Sequence, residues 1–227
     1  MKYIEKPDKY SSQSRVVQLI LENYKDNLVV CDVGCSGGFL AKRLQGKKVK
    51  MTGLDNDKDA AGQALPYYQK IFICDLDEGL PKLDEKFDII VLADVLEHLK
   101  NPETILKGLS KYLKDDGFFI VSLPNIANIT IRLSLLLGKF NYANLGILDK
   151  THLRFFTLET AKKLFNKTQL SVNLEYVTPI PLPIIHHSFS ESGIFYQIYR
   201  LLFLFTNYFK TLLAYQFIFT LKKNHEL

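Results

Sequence analysis

Val29-Val30-Cys31-Asp32-Val33-Gly34-Cys35-Ser36-Gly37-Gly38-Phe39-Leu40 carries the deciding pattern of this chain. An apolar strand run ends in a carboxylate, a glycine-rich turn follows, and a helix opens. That order builds the ligand crevice of an open α/β sheet, outside the carboxyl ends of its strands. A second apolar segment ends at Leu54-Asp55. An acid at such a strand end can hold both hydroxyls of a ribose. The two features together predict a nucleoside-bearing cofactor.

Outward from that crevice, strand and helix alternate through two-thirds of the chain. Val16, Val17, Ile20 and Leu21 place a first helix over Ser14–Tyr24. Leu28–Val33 reads as a buried strand and Gly37–Leu44 as the helix opening on the glycines. Lys48–Leu54 and Lys70–Cys74 read as strands around a short helix over Lys58–Ala64. Asp88-Ile89-Ile90-Val91-Leu92 shows no alternation, the mark of a strand covered on both faces in a parallel sheet. Asn101-Pro102-Glu103 caps a helix to about Leu113, Asp116-Gly117 reads as a turn, and Phe118–Leu123 as the next strand. Thr157 caps a helix over Leu158–Asn166, Ser171–Val177 is a strand, Gly193–Tyr208 a helix, and Ala214–Lys222 a final strand. Such alternation around a parallel core predicts one doubly wound α/β domain over residues 1–227. Two stretches, 125–156 and the proline-interrupted 178–213, break the rhythm and read as cap insertions over the substrate pocket.

The 227 residues suffice for one full core and such elaboration. The formal charge of +5 is uneven: from Asn125 onward eleven Lys/Arg stand against five Asp/Glu. An ordinary surface is the first reading, and a C-terminal half that meets phosphate or lipid headgroups the sharper one. No dense basic stripe or separate RNA-binding module is visible, so nucleic acid is not an expected partner. Cys31, Cys35 and Cys74 are odd in number and lack paired spacing. They predict a reducing, cytoplasmic setting without disulfides or a zinc knuckle. Met1–Ser14 is polar and holds no apolar signal core.

The turn decides among nucleoside ligands. A dinucleotide crevice expects G-x-G-x-x-G. Here Gly34, Ser36 and Gly38 stand with Asp32 two residues ahead of the first. That carboxylate would repel a pyrophosphate and suits a positive amino group, which points away from NAD and towards S-adenosylmethionine. Here the sequence resembles the class I S-adenosylmethionine-dependent methyltransferases, from about Tyr10 to Leu174 and in the last strand. Asp32-Val33-Gly34-Cys35-Ser36-Gly37-Gly38 resembles their glycine-rich first motif, with Ser36 at the middle glycine. Asp55, with Asn56 beside it, stands where the ribose-binding acid does, and Asp75-Leu76 resembles the pair that meets the adenine. Ala93-Asp94-Val95-Leu96-Glu97-His98-Leu99 resembles the motif facing the sulfonium. The resemblance implies a Rossmann-like sheet of seven strands, the last antiparallel, with Cys35, Phe39, Ala93 and Asp94 about the cofactor. It also implies an N-terminal helix closing over the site, from which Tyr10 and Arg15 reach the cofactor carboxylate; a solvated helix face is their alternative. Leu123-Pro124-Asn125 and Thr151-His152-Leu153-Arg154-Phe155-Phe156-Thr157 look most like methyltransferases of surface-polysaccharide synthesis. They also look like ubiquinone-biosynthesis O-methyltransferases.

An acceptor hydroxyl benefits from a base within hydrogen-bond reach. His152, His98 and Asp94 are the catalytic candidates, with Glu97 and Asp149 near them. His152 leads, because the irregular connection that carries it should overhang the pocket. Fixing the turn ahead of Thr157 is its alternative role. Arg154 and Asn125 are the substrate candidates; for Arg154 a surface ion pair is the alternative. Were residues 94–98 helical, Asp94, Glu97 and His98 would share a face at i, i+3, i+4. With His152 they would then offer a divalent-metal site. The expectation is no metal, since Glu-His at this place is common in the class without one. His186-His187 read as loop surface.

Ile194–Tyr208 covers more than one helical face with Ile, Leu, Phe and Tyr. Such a helix is buried or lies in lipid. A cap packed on the substrate pocket is the first reading of 194–213. Peripheral contact at the inner face of the membrane, with Arg200 and Lys210 at headgroups, is the second. A dimer interface, making a homodimer of a monomer, is the third. The whole sequence predicts a cytoplasmic S-adenosylmethionine-dependent methyltransferase that releases S-adenosylhomocysteine. Its acceptor is expected to be an oxygen of a sugar in a surface-glycan pathway, free or lipid-linked. A small-molecule or quinone-precursor O-methyltransferase is the alternative enzyme, and a catalytically silent cofactor-binding scaffold the alternative class.

Overall fold

The computed structural model describes residues 8–189 and 192–224, so only the part of Met1–Ser14 from Asp8 onward is placed. Seven strands form one sheet: β1 (Leu28–Val33), β2 (Val49–Asp55), β3 (Lys70–Ile73), β4 (Phe87–Ala93), β5 (Leu113–Pro124), β6 (Leu170–Thr178) and β7 (Gln216–Lys223). Their order is β3-β2-β1-β4-β5-β7-β6. β1 to β5 pair in parallel, and β7 lies antiparallel between β5 and β6. This is the Rossmann-like sheet expected, with its last strand reversed. Strand order turns back at β1 and β4, so the crevice outside their carboxyl ends is the topological switch point.

The helices are α1 (Ser12–Glu22), α2 (Phe39–Arg43), α3 (Lys58–Ala64), α4 (Pro102–Ser110), α5 (Ile129–Leu136), α6 (Leu158–Lys167), α7 (Leu182–Ile185), α8 (Ile194–Tyr208) and α9 (Lys210–Leu213). Side chains of β1 alternate between the two layers of core. Val29, Cys31 and Val33 join Leu106, Leu109, Phe165 and Phe219 on the α4 and α6 side. Leu28 and Val30 join Leu19, Ile20, Ile89 and Ile218 on the α1 side.

Local chemistry moves several boundaries from where the pattern put them. α1 starts at Ser12 because Ser11 Oγ accepts from Ser14 N at 3.2 Å and caps it there. α2 starts only at Phe39 because Gly38 is left-handed at φ 80°. α4 stops at Ser110 because Phe87 N already donates to Tyr112 O and Leu113 pairs with Phe87. Asp116-Gly117 is no turn between elements. Leu113 faces Phe87 and Phe118 faces Ile89, so the intervening residues are absorbed as a bulge inside β5.

Both irregular stretches leave the sheet at one place. Asn125 Nδ2 donates to Thr211 O at 3.1 Å and Ala214 O at 2.9 Å, and Asn128 Nδ2 to Leu213 O at 3.2 Å and Ala214 O at 2.8 Å. These bonds tie the root of α5 to the end of α9. α8 buries Tyr199 and Thr206 against the body of the protein, and Ile194, Ile198, Leu201 and Phe205 stay exposed.

Candidate active site

The turn after β1 is drawn onto β2 by two bonds. Gly34 N and Cys35 N both donate to Leu54 O, at 2.7 and 3.2 Å. Gly34 has φ +73°, and a Cβ there would lie 2.8 Å from Val95 Cγ2. Backbone is therefore the only wall the site can have at this point. Ser36, at the middle-glycine place, keeps the left-handed conformation with φ 44°. Its N–H donates to Asp55 Oδ2 at 2.6 Å, while Asp55 Oδ1 accepts from Asp57 N at 2.8 Å. Each Asp55 oxygen keeps a further lone pair for a hydroxyl. Cys74 N donates to Asp55 O at 2.8 Å, which brings Asp75 and Leu76 beside it. Asp75 Oδ1 accepts from Asp77 N at 2.9 Å, Leu76 packs on the core, and Asn56 is exposed.

Above this turn lies a cleft lined by Gln13, Val16, Asp32, Gly34, Cys35, Ser36, Phe39, Leu40 and Ala93. Asp32 is buried at its floor and accepts from the Tyr68 hydroxyl. Burial pushes its carboxyl up to about 7, with the Tyr68 bond pulling down and Asp55 pushing up. A buried carboxylate beside a left-handed glycine turn that lines the cleft suits a nucleoside carrying a positive group. Tyr10 and Arg15 are placed elsewhere. Tyr10 stacks on Phe203 of α8 at 4.5 Å between centroids, and the Arg15 guanidinium lies 3.8 Å over the Tyr176 ring and pairs with Glu22 at 3.3 Å.

β4 delivers the second half of the site. Asp94, just past Ala93, is left-handed at φ 58°. Ser122 Oγ donates to its Oδ1 at 2.5 Å, and Gln216 Nε2 lies 2.8 and 2.7 Å from its two oxygens. Gln216 Oε1 in turn accepts from Ser12 Oγ at 2.9 Å. One polar chain thus joins α1, β7, β4 and β5. Residues Leu96–His98 form a single 3₁₀ turn, so the α-helical face conjectured for Asp94, Glu97 and His98 does not form.

Glu97, His98 and His152 do converge, with one ligand atom of each within 4.8 Å of the others. The loop carrying His152 is docked on β4's extension: Leu153 N and Arg154 N donate to Glu97 O at 2.9 and 3.0 Å. His152 Nδ1 lies 3.0 Å from Ile147 O, an acceptor, so that nitrogen carries the proton and Nε2 offers a lone pair. Burial and the neighbouring His98 hold His152 below the ordinary histidine range. Asp149 goes the other way from burial alone: its bonds from Thr151 outweigh desolvation and keep it low. Glu97 is fully buried, both carboxylate oxygens lack a hydrogen-bond partner, and burial followed by Asp94 pushes its carboxyl well up. Arg154 is tied by Nε to Leu99 O at 3.2 Å and Lys100 O at 3.0 Å. Asn125 is buried with its amide on Thr211 and Ala214 and its Oδ1 on Ala127 N. Tyr68, Gln216 and Ser122 are site neighbours that the sequence did not single out.

A family model described as a methyltransferase domain matches residues 8–175. The ubiquinone biosynthesis O-methyltransferase of Glaesserella parasuis serovar 5 (strain SH0165) is 36% identical over 106 residues, covering 42% of this chain and 45% of that protein. The chain thus spans less than half the length of that curated relative. Among solved structures, an S-adenosylmethionine-dependent methyltransferase from Clostridium acetobutylicum ATCC 824 superposes with a TM-score of 0.61 at 15% identity, covering 98% of this chain and 93% of the other. Magnesium protoporphyrin IX methyltransferase from Synechocystis PCC 6803, with bound SAH, gives 0.60 at 17% identity, covering 93% and 82%. At such identities these likenesses concern the fold alone.

Proposed function

We infer, for a chain that belongs to the methyltransferase-domain family, that it transfers a methyl group from S-adenosylmethionine to an oxygen of a small acceptor of quinone-precursor type. The observation that carries this reading is the placement of His152. Its Nδ1 is fixed on a backbone carbonyl, burial and His98 hold its ring below the ordinary histidine range, and its loop is docked on Glu97, four residues beyond the Ala93 that lines the cleft. S-adenosylmethionine, when bound, supplies a methyl group activated on a sulfonium. The chain supplies position and proton management. Asp32 answers the positive amino group, Asp55 the ribose hydroxyls, and the Gly34 backbone lets the ligand approach closely. His152 Nε2 takes the proton of an acceptor hydroxyl, and its low proton affinity keeps it ready to do so near neutral pH. Holding the acceptor in line can remove roughly 7–11 kcal/mol of barrier by itself.

The acceptor class is supported by the likeness to a ubiquinone biosynthesis O-methyltransferase. A sugar acceptor has no such support. The test is methyl transfer from labelled S-adenosylmethionine to catechol and phenol acceptors. His152→Ala should lower turnover by about 10²-fold or more, with S-adenosylhomocysteine affinity unchanged. Turnover equal to wild type would remove His152 from the chemistry. Binding without transfer to any acceptor would favour a silent scaffold, and Asp55→Ala is the control that abolishes binding.

One observation favours a second reading of the same cluster. The orphaned, buried Glu97 carboxylate beside His98 and His152 is a donor set of one oxygen and two nitrogens. Such a set suits Zn, Mn or Fe, which when bound would supply Lewis acidity to an acceptor hydroxyl. Calorimetry with each metal alone separates the readings. Binding that Glu97→Gln abolishes supports the ion, and no heat with any of them supports His152 as base.

A further inference from the structure

We propose that α8 and the C-terminal half of α5 form a docking face for a bilayer bearing anionic headgroups. Ile194, Ile198, Leu201, Phe205 and Tyr208 follow one another at helical spacing along the outer side of α8, all exposed. Tyr199 and Thr206 hold the opposite side, at 1% and 0% exposure. The outer stripe is therefore not needed to fix the helix, and an apolar stripe of this size on a surface marks an interaction site. Beside it, Asn125 and Asn128 tie α5 to Thr211, Leu213 and Ala214. α5 presents Leu133 and Leu135 at 52% and 50% exposure, then Leu136 at 81% and Leu137 at 71%.

Geometry and charge choose the occupant. Leu133 and Leu135 project from nearly opposite sides of their helix, about 200° apart. A single protein face covers one side of a short helix, whereas acyl chains wrap it. α8 has 15 residues, about 22 Å of helix against the roughly 30 Å a span requires. No helix among the described residues is long and apolar enough to cross a membrane. The helix would therefore lie in the interface rather than span it. No acidic residue occurs from Gly117 to Leu148 or from Gly193 to Leu221. Arg132, Lys139 and Arg200 are exposed within those stretches. Apolar segments that carry exposed cations and no acid of their own complement an anionic lipid surface.

The test is co-sedimentation of the full chain with phosphatidylcholine vesicles, with and without phosphatidylglycerol. The chain is expected to pellet with the anionic vesicles and to release in high salt. Ile198→Ser and Leu136→Ser should each weaken partition by about tenfold or more. Arg200→Gln and Lys139→Gln should each weaken it by about fivefold. These positions lie outside the catalytic and cofactor residues, so methyl transfer to a soluble acceptor is unaffected. Failure of docking is thereby distinguishable from failure of the proposed reaction. No pelleting with anionic vesicles, or serine variants that pellet like wild type, would overturn the proposal. So would a concentration-dependent doubling of mass by light scattering that Ile198→Ser abolishes and vesicles do not compete away, which would assign the stripe to a second copy.

Discussion

Asp32 is the residue on which recognition turns. Burial holds its carboxyl near 7, so in the ligand-free protein it gains and loses a proton around neutrality. A positively charged amino group pairs only with the ionised form. Affinity for S-adenosylhomocysteine should therefore fall as pH drops through 7, by about tenfold for each unit below it. Calorimetric titration across that range checks this, and Asp32→Asn should bind weakly with no slope. A flat wild-type profile would separate Asp32 from ammonium recognition. Gly34 shows the complementary case, where the absence of a side chain matters. Gly34→Ala adds a Cβ 2.8 Å from Val95 at φ +73°. Strain of this kind costs about 1–3 kcal/mol, measurable by urea unfolding. Asp32, Gly34 and Asp55 were legible in the sequence because their task fixes both residue type and place at a strand end. Tyr68, the phenol that holds Asp32, was not. An aromatic after a short helix reads as core until the fold brings it 36 positions back along the chain.

Among the elements, the parallel strands were the most readable, because burial on both faces leaves a solid apolar run with no competing pattern. Where local geometry departs from regular periodicity, the reading failed for identifiable reasons. Asp116-Gly117 has turn chemistry, yet β5 absorbs it as a bulge opposite Phe87 and Ile89. Residues 96–98 are too few to distinguish a 3₁₀ turn from an α-helix by spacing, so spacing groups Asp94 with Glu97 and His98, whereas its side chain bonds Ser122 and Gln216. Gln216 itself is an unmarked polar residue at the start of β7, and its Asp94 partner lies 122 positions away. It also has a testable weight. Gln216→Leu removes the amide that spans both Asp94 oxygens and the acceptor for Ser12. Leaving such buried groups short of partners costs about 1–3 kcal/mol. Thermal unfolding should register that loss, and cofactor affinity should fall with it because α1 lines the cleft through Gln13 and Val16. A variant as stable as wild type would show that Ser122 alone suffices for Asp94.

At the scale of the molecule, the proposed lipid face and the cofactor cleft share one structural element. The inner side of α8 holds the segment that leads into α1. The Tyr199 hydroxyl donates to Asp8, and Tyr10 packs edge-on to Tyr199 at 5.4 Å and flat on Phe203. Asp8 O then accepts from Ser11 N at 3.1 Å, and Ser11 caps α1, whose Gln13 and Val16 wall the cleft. Burial and the bond to Asp8 both push the Tyr199 phenol up, so it stays a proton donor through the physiological range. Seating α8 on a bilayer would order its outer side and, through Tyr199 and Tyr10, the entry to α1. A ligand that needs α1 closed then binds a protein already partly ordered, and its affinity rises without any new contact. Coupling of this kind is commonly worth 1–3 kcal/mol, or about 5–150-fold. Anionic vesicles should therefore tighten S-adenosylhomocysteine binding by a factor in that range. Linkage requires S-adenosylhomocysteine to tighten vesicle binding by the same factor, which makes the two titrations a check on each other. Tyr199→Phe keeps the ring and the outer stripe but loses the bond to Asp8. It should still pellet with vesicles while the two affinities become independent. Equal S-adenosylhomocysteine affinity with and without vesicles in the wild type would mean that docking brings the chain to a surface without reaching its cofactor site.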